Sequence, residues 1–185
     1  VARISLEPKR TLTLRVVDWY ARRKYGKAME PASAMGYHPK LLRTGMRFEL
    51  GVMRWRELDE GLKHLAVMAS AVKIGCTWCT DFGYWEASRL GLPLEKISKV
   101  PVWREHRQMF TEVECWVLEY AEVMTETPPE VTDELVQALV ENLGEPALVE
   151  LTMMVAVENQ RSRFYSALGL VSQGFSESCA VPTAE

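Results

Sequence analysis

Apolar residues recur at helical spacing through almost the whole of this 185-residue chain, and strand-like alternation is scarce, which favours an all-helical packing over α/β. Leu12, Val16, Val17, Trp19 and Tyr20 are spaced to line one face of a first helix that stops before Gly26. After the turn-rich stretch EPASAMGYHP, Leu41, Leu42, Gly45, Met46, Leu50 and Met53 repeat the pattern, with Pro39 near the start where its missing N–H is harmless. The clearest helix runs from about Asp59 to Ile74, where Leu62, Leu65, Ala66, Met68, Ala69 and Val72 form a broad apolar face and Gly75 supplies the break. Another begins at Cys76 and carries Asp81, Tyr84, Trp85 and Ala87 toward Gly91 and Pro93, after which LEKISKV forms a short element. Further helices are expected from His106 to Thr125, from a Thr132 cap to Asn142, and from Pro146 to about Leu168. The tail VSQGFSESCAVPTAE, from about residue 171, reads as loosely ordered.

A chain of this length buries roughly 70% of its extended surface on folding, so one domain over 1–185 is expected, with no disulfide or structural metal needed to hold it. Its 22 basic and 25 acidic residues leave a net charge of −3, and acids elsewhere balance the Arg22, Arg23, Lys24 and Lys27 cluster. A nucleic-acid partner is therefore not expected. The longest strongly apolar stretch, Leu65 to Val72, falls far short of the ~18 residues a membrane span needs, so no membrane partner is expected either. VARISLEPKRTLTLRVV carries no apolar run followed by a small-residue cleavage site, and the cytoplasm is the expected compartment.

Of the four cysteines, Cys76, Cys79, Cys115 and Cys179, only the first two form a pair, a lone CxxC near a helix start. Three positions along a helix rise ~4.5 Å and place both sulfurs on neighbouring parts of one surface, where a disulfide is feasible. Free N–H groups and the positive end of the helix dipole would stabilise a thiolate on Cys76. On spacing alone three readings stay open: dithiol redox chemistry, inert packing, or half of a zinc site completed by His64, Cys115, Asp81 or Cys179. Thr80 rather than histidine follows Cys79, which argues against covalent haem attachment.

The segment LKHLAVMASAVKIGCTWC followed by TDFGYWEASRLG resembles the carboxymuconolactone decarboxylase-like superfamily, in particular its alkylhydroperoxidase D-like (AhpD-like) branch. Arg56 to Gly91 looks like the family core, and VELTMMVAVENQRSRFYSALGL is similar to the closing helix of longer members. The resemblance implies an all-α AhpD-like helical bundle that assembles as a homotrimer or homohexamer, with an N-terminal helical extension. Members of that branch pair the CxxC with a glutamate twelve positions before the first cysteine and a histidine four after the second. Here those places hold His64 and Gly83. Carried over residue by residue, Cys76 and Cys79 remain the redox pair, His64 replaces the acid, and the usual histidine has no side-chain counterpart.

The implied function is a thiol-dependent oxidoreductase, of the peroxidase and antioxidant type. One cysteine would reduce a peroxide or small disulfide, the other would close the disulfide, and an external dithiol reductant would reset the pair without any bound cofactor. His64, as a neutral imidazole, is a candidate proton acceptor near the sulfurs. Asp81 is a second catalytic candidate as a proton relay, although its negative charge would oppose a nearby thiolate. Glu114, Glu150 and Glu158 are possible replacement acids. The alternative is a non-enzymatic, redox-responsive helical oligomer or interaction module whose cysteines pack or sense without turnover.

Overall fold

The computed structural model describes residues 2–178, and among them regular structure is entirely helical. The order is α1 (Leu12–Tyr25), α2 (Glu30–Met35), α3 (Pro39–Val52), α4 (Glu60–Ile74), α5 (Thr77–Arg89), α6 (Leu94–Ser98), α7 (Glu112–Thr125), α8 (Asp133–Leu143) and α9 (Glu145–Ala167). Contacts gather these residues into two compact units, 2–55 with 167–170 and 56–166 with 171–178.

In the first unit Leu14 and Val17 of α1 and Leu42 of α3 form a small core, backed by Ala32, Met35 and Met46. Thr11 caps α1 by accepting from the Leu14 N–H, and Gly26 closes it at φ 80°, a left-handed conformation that favours glycine. The apolar face expected on α1 is mostly not buried: Leu12 is 76% and Trp19 65% exposed, and Val16 and Tyr20 also face out. Only Val17 of that set lies inside, because the buried stripe runs through Leu14, Val17, Asp18 and Ala21 instead. The stretch read as turn-rich contains α2, which starts with Pro31 in its first turn.

The second unit holds the larger core. Leu65, Ala66 and Met68 of α4 pack with Val117, Leu118 and Ala121 of α7, Leu139 of α8, and Leu151 and Val155 of α9. Each leucine, valine and methionine among them contributes roughly 1.5–3 kcal/mol by leaving water, so this interior, and not local propensity, holds the helices together. Asp59 fixes where α4 begins: its Oδ1 accepts from Gly61 N at 2.9 Å and Leu62 N at 3.2 Å.

Two boundaries differ from the sequence reading. The helix expected from His106 begins only at Glu112, because Arg107–Met109 form a 3-10 turn and Phe110 is extended. Thr111 and Glu114 build a capping box there, with Thr111 Oγ1 accepting from Glu114 N at 3.2 Å and Glu114 Oε2 from Thr111 N at 2.6 Å. The tail was expected to be loose from about 171, yet 171–178 is tied down by hydrogen bonds and by Phe175, which is buried. Residues 179–185, including Cys179, lie outside the described residues.

Candidate active site

Gly75, at φ 77°, ends α4 in a left-handed turn and delivers the chain to Cys76, whose extended backbone makes it the N-cap of α5. From there Cys76 Sγ accepts from the Cys79 N–H at 3.2 Å, so a sulfur does the work usually done by a serine or aspartate oxygen. The two cysteines are joined by a disulfide with their Cα atoms 5.3 Å apart. Cys76 is 1% and Cys79 7% exposed, so the pair is nearly sealed from solvent.

His64 and Gly83 meet where α4 packs on α5. His64 is 5% exposed, its Nε2 has no hydrogen-bond partner, and burial lowers its pKa to about 4 against a smaller opposing effect of the Gly83 main chain. The ring is thus neutral near pH 7, as expected, but it is a much weaker base than an ordinary imidazole. At position 83 a Cβ would collide with Met68 Sδ. The space that a relay histidine would need at its root is filled by a methionine sulfur.

Asp81 has a different task from the one expected of it. Its carboxylate accepts from Gln173 N at 2.9 Å, Phe175 N at 3.0 Å, Ser176 N at 2.7 Å and Ser176 Oγ at 2.7 Å. Burial alone would raise its pKa, but these donors outweigh it and hold the group below the ordinary aspartate value. Asp81 is therefore the mooring of segment 171–178 and not a group poised at sulfur. Trp78, between the cysteines, helps: its Nε1 donates to Gln173 Oε1 at 2.8 Å, and its ring stacks on Phe82 and meets Tyr165 and Phe175 edge-on.

The three candidate acids separate clearly. Glu114 is paired with Lys96 at 2.8 Å and serves the α7 cap, while Glu150 pairs with Lys63 at 2.7 Å and accepts from Glu57 N at 2.7 Å. Glu158 alone is linked to the dithiol. Its Oε1 lies 2.7 Å from Ser162 Oγ, and that oxygen lies 3.2 Å from Cys79 Sγ. Ser162 was not singled out from the sequence. Glu158 and Ser162 are four residues apart on α9 and so share a face, but nothing local announces that this face meets α5. Cys115 is buried in the α7 core, where burial pushes its thiol up, consistent with an incidental cysteine. Among the described residues, no three His, Cys, Asp or Glu side chains converge as a metal centre requires. No helix there is long and apolar enough to cross a membrane.

The model of the carboxymuconolactone decarboxylase family matches residues 39–122. The Escherichia coli K12 protein YnjA is 31% identical over 172 residues, covering 92% of this chain and 92% of its own length. Among solved structures, a variant of the debrominase Bmp8 in complex with 2,3,4-tribromopyrrole superposes with a TM-score of 0.82 at 16% identity, covering 96% of this chain and 97% of its own. The AhpD core of a peroxidase-related protein from Ralstonia eutropha JMP134 gives a TM-score of 0.82 at 14% identity, covering 95% of this chain and 94% of its own. At those identities the likeness establishes the all-α, AhpD-like fold.

Proposed function

The chain belongs to the carboxymuconolactone decarboxylase/AhpD-like superfamily, and on that premise we propose that it is a thiol-dependent oxidoreductase that cycles Cys76 and Cys79 between dithiol and disulfide. The observation that carries the reading is the disulfide itself, formed across the first turn of a helix whose free N–H donors favour a thiolate. A hydroperoxide is the proposed oxidant. A thiolate attacks its outer oxygen, the S–O bond forms as O–O breaks, and an alcohol or water leaves with a proton. The second thiol then attacks the sulfenic sulfur, forming S–S and releasing water. An external dithiol protein resets the pair, its own thiols closing to a disulfide as Cys76 and Cys79 regain their protons. No bound cofactor takes part.

Titrating reduced protein with hydrogen peroxide and an organic hydroperoxide while counting free thiols tests the reading. Stoichiometric loss of the Cys76 and Cys79 thiols, much faster than for free cysteine, is expected; retention of both at the free-cysteine rate rejects it. The near-complete burial of both sulfurs favours a second reading, a redox-responsive module that oxidises without turnover. Steady-state consumption of peroxide in the presence of an external dithiol protein separates the two, because a sensor stops after one equivalent. We further propose a homotrimer or homohexamer, supported by the exposed Leu12, Val16, Trp19 and Tyr20 stripe of α1. Light scattering after size exclusion checks it, and a concentration-independent monomer overturns it.

A further inference from the structure

We propose that Ser162 and Glu158 form the proton relay of Cys79, replacing the route that Gly83 cannot provide. The inference rests on the dithiol reading above and assigns to that site a catalytic hydroxyl and a positioning carboxylate that both come from α9. Ser162 is fully buried and Glu158 is 2% exposed, so bulk water does not stand between the carboxylate and the sulfur. Ser162 Oγ lies 2.7 Å from Glu158 Oε1 and 3.2 Å from Cys79 Sγ.

A hydroxyl has one proton and two lone pairs. Given to Glu158, that proton leaves the lone-pair side of Ser162 Oγ facing Cys79 Sγ, the orientation needed to accept an S–H once the disulfide is reduced. Transfer then runs in one direction: Cys79 S–H gives its proton to Ser162 Oγ as Ser162 O–H gives its own to Glu158 Oε1. The products are a Cys79 thiolate, an unchanged serine and a protonated Glu158. On reduction of the disulfide the same path runs backwards, and Glu158 returns a proton to Cys79 as that sulfur leaves its bond with Cys76.

The surrounding charges are compatible with this assignment. Arg161 Nη1 stands 3.5 Å from Glu158 Oε2 and supports a carboxylate waiting for a proton. Asp81 of α5 is held by 173–176, and His64 of α4 is neutral above about pH 4. Cys76 is a further titratable neighbour once the pair is reduced, and Tyr165 of α9 stands against the Trp78 ring. Met68 occupies the space beside Gly83, so no side chain at 83 competes for the role.

The test uses Cys76→Ser protein, which keeps a good cap residue and leaves Cys79 as the thiol followed. Alkylation of Cys79 by iodoacetamide is measured by peptide mass spectrometry across pH, and each rate is divided by its own alkaline plateau, so that opening of the buried site cancels. An ordinary thiol is only a few per cent ionised at neutral pH, so losing the acceptor should lower the normalised rate at pH 7 by about tenfold. Glu158→Gln keeps an oxygen for Ser162 to donate to but takes no proton, and Ser162→Ala cuts the path; both should show that loss, and combining them should add little. Unchanged profiles in folded S162A and E158Q overturn the proposal. If neither variant folds, the Cys76→Ser protein still decides: a proton shared between Cys79 and Glu158 must give a two-step profile, and a single step at the free-cysteine value overturns the relay. Failure of the dithiol reading looks different, since the unmutated protein would then not exchange the Cys76–Cys79 disulfide at all.

Discussion

Replacing Asp81 with alanine should release segment 171–178 while leaving the helices in place. The carboxylate accepts from the backbone N–H groups of residues 173, 175 and 176 and from the Ser176 hydroxyl, with the Ser172 side chain adding to them. Bonds to a charged acceptor contribute roughly 1.5–3 kcal/mol each, but their sum is not the expected cost. Once the segment lifts away, its N–H groups bind water, so the loss cannot exceed what docking supplies. The rest of the docking energy is the burial of Phe175, about 2 kcal/mol, with edge-on contacts to Trp78 and Phe82 of about 1 kcal/mol each. Those apolar contacts remain in the mutant, and if rehydration of the freed N–H groups leaves a net loss equal to about two charge-assisted bonds at their lower value, the tendency to open rises by about 3 kcal/mol, or about a hundredfold at ~1.4 kcal/mol per decade.

Native-state amide exchange reads this directly. In Asp81→Ala the amides of Gln173, Phe175 and Ser176 should exchange about a hundredfold faster, while those of Leu118 and Leu151 in the core change little. Asp81→Asn, which keeps one oxygen, should fall between the two. Acid should act likewise: the folded pKa lies below the ordinary aspartate value, so the mooring is complete above ~3.9 and is lost as pH falls through that lower folded value. Equal protection at 173, 175 and 176 in mutant and parent would refute the mooring, as would a uniform rise across every helix of the unit.

Three other outcomes follow from buried groups. His64 binds its proton near pH 4 when folded and near 6.5 when unfolded, so stability should fall by roughly 3 kcal/mol as pH drops through that interval. Denaturant titrations should show a flatter dependence in His64→Gln. Gly83→Ala should destabilise by about 1–2 kcal/mol because its Cβ meets Met68 Sδ, yet in a Met68→Ala background the same change should be neutral or favourable through helix propensity. A thermal-melt double-mutant cycle measures that reversal, and additive effects would contradict the clash. Glu150→Gln removes the negative charge 2.7 Å from the buried Lys63 ammonium, which keeps Glu60 at 3.1 Å, and should cost about 1.5–3 kcal/mol by chemical denaturation.

Most of the helical order was legible because punctuation and periodicity coincide. Asp59 and Gly75 bracket α4, Thr132 opens α8, and Cys76 stands at the start of α5. The apolar residues of α1 line one face of a helix that stops at Gly26, as their spacing predicts, but a stripe states only that a face is apolar and not what covers it. Where the reading failed, two physical signals competed. The start of α7 was placed too early because Met109 and Phe110 continue the apolar spacing, although Thr111 and Glu114 spell a capping box. In the site, Cys76 and Cys79 were visible as a pair since their geometry is local. Asp81 misled for the opposite reason, because its partners lie more than ninety residues away in a segment whose composition suggested looseness. Ser162 had no local signal, for a serine on a long helix becomes chemistry only when its helix crosses a sulfur.

These separate findings share one cause in the geometry of α5. Trp78, Asp81, Phe82 and Trp85 recur at spacings of three and four, and all four meet residues 173–176, Asp81 through hydrogen bonds, Trp78 through a hydrogen bond and a ring contact, and Phe82 and Trp85 through ring contacts with Phe175. Cys79, Gly83 and Ala87 recur every four residues on a second, buried face that meets Met68 and Ser162. Asp81 therefore points away from the sulfur face although it is only two residues from Cys79. The proton acceptor has to reach the second face from another helix, and because Met68 closes the approach at position 83, the hydroxyl that does reach Cys79 is the one carried by α9.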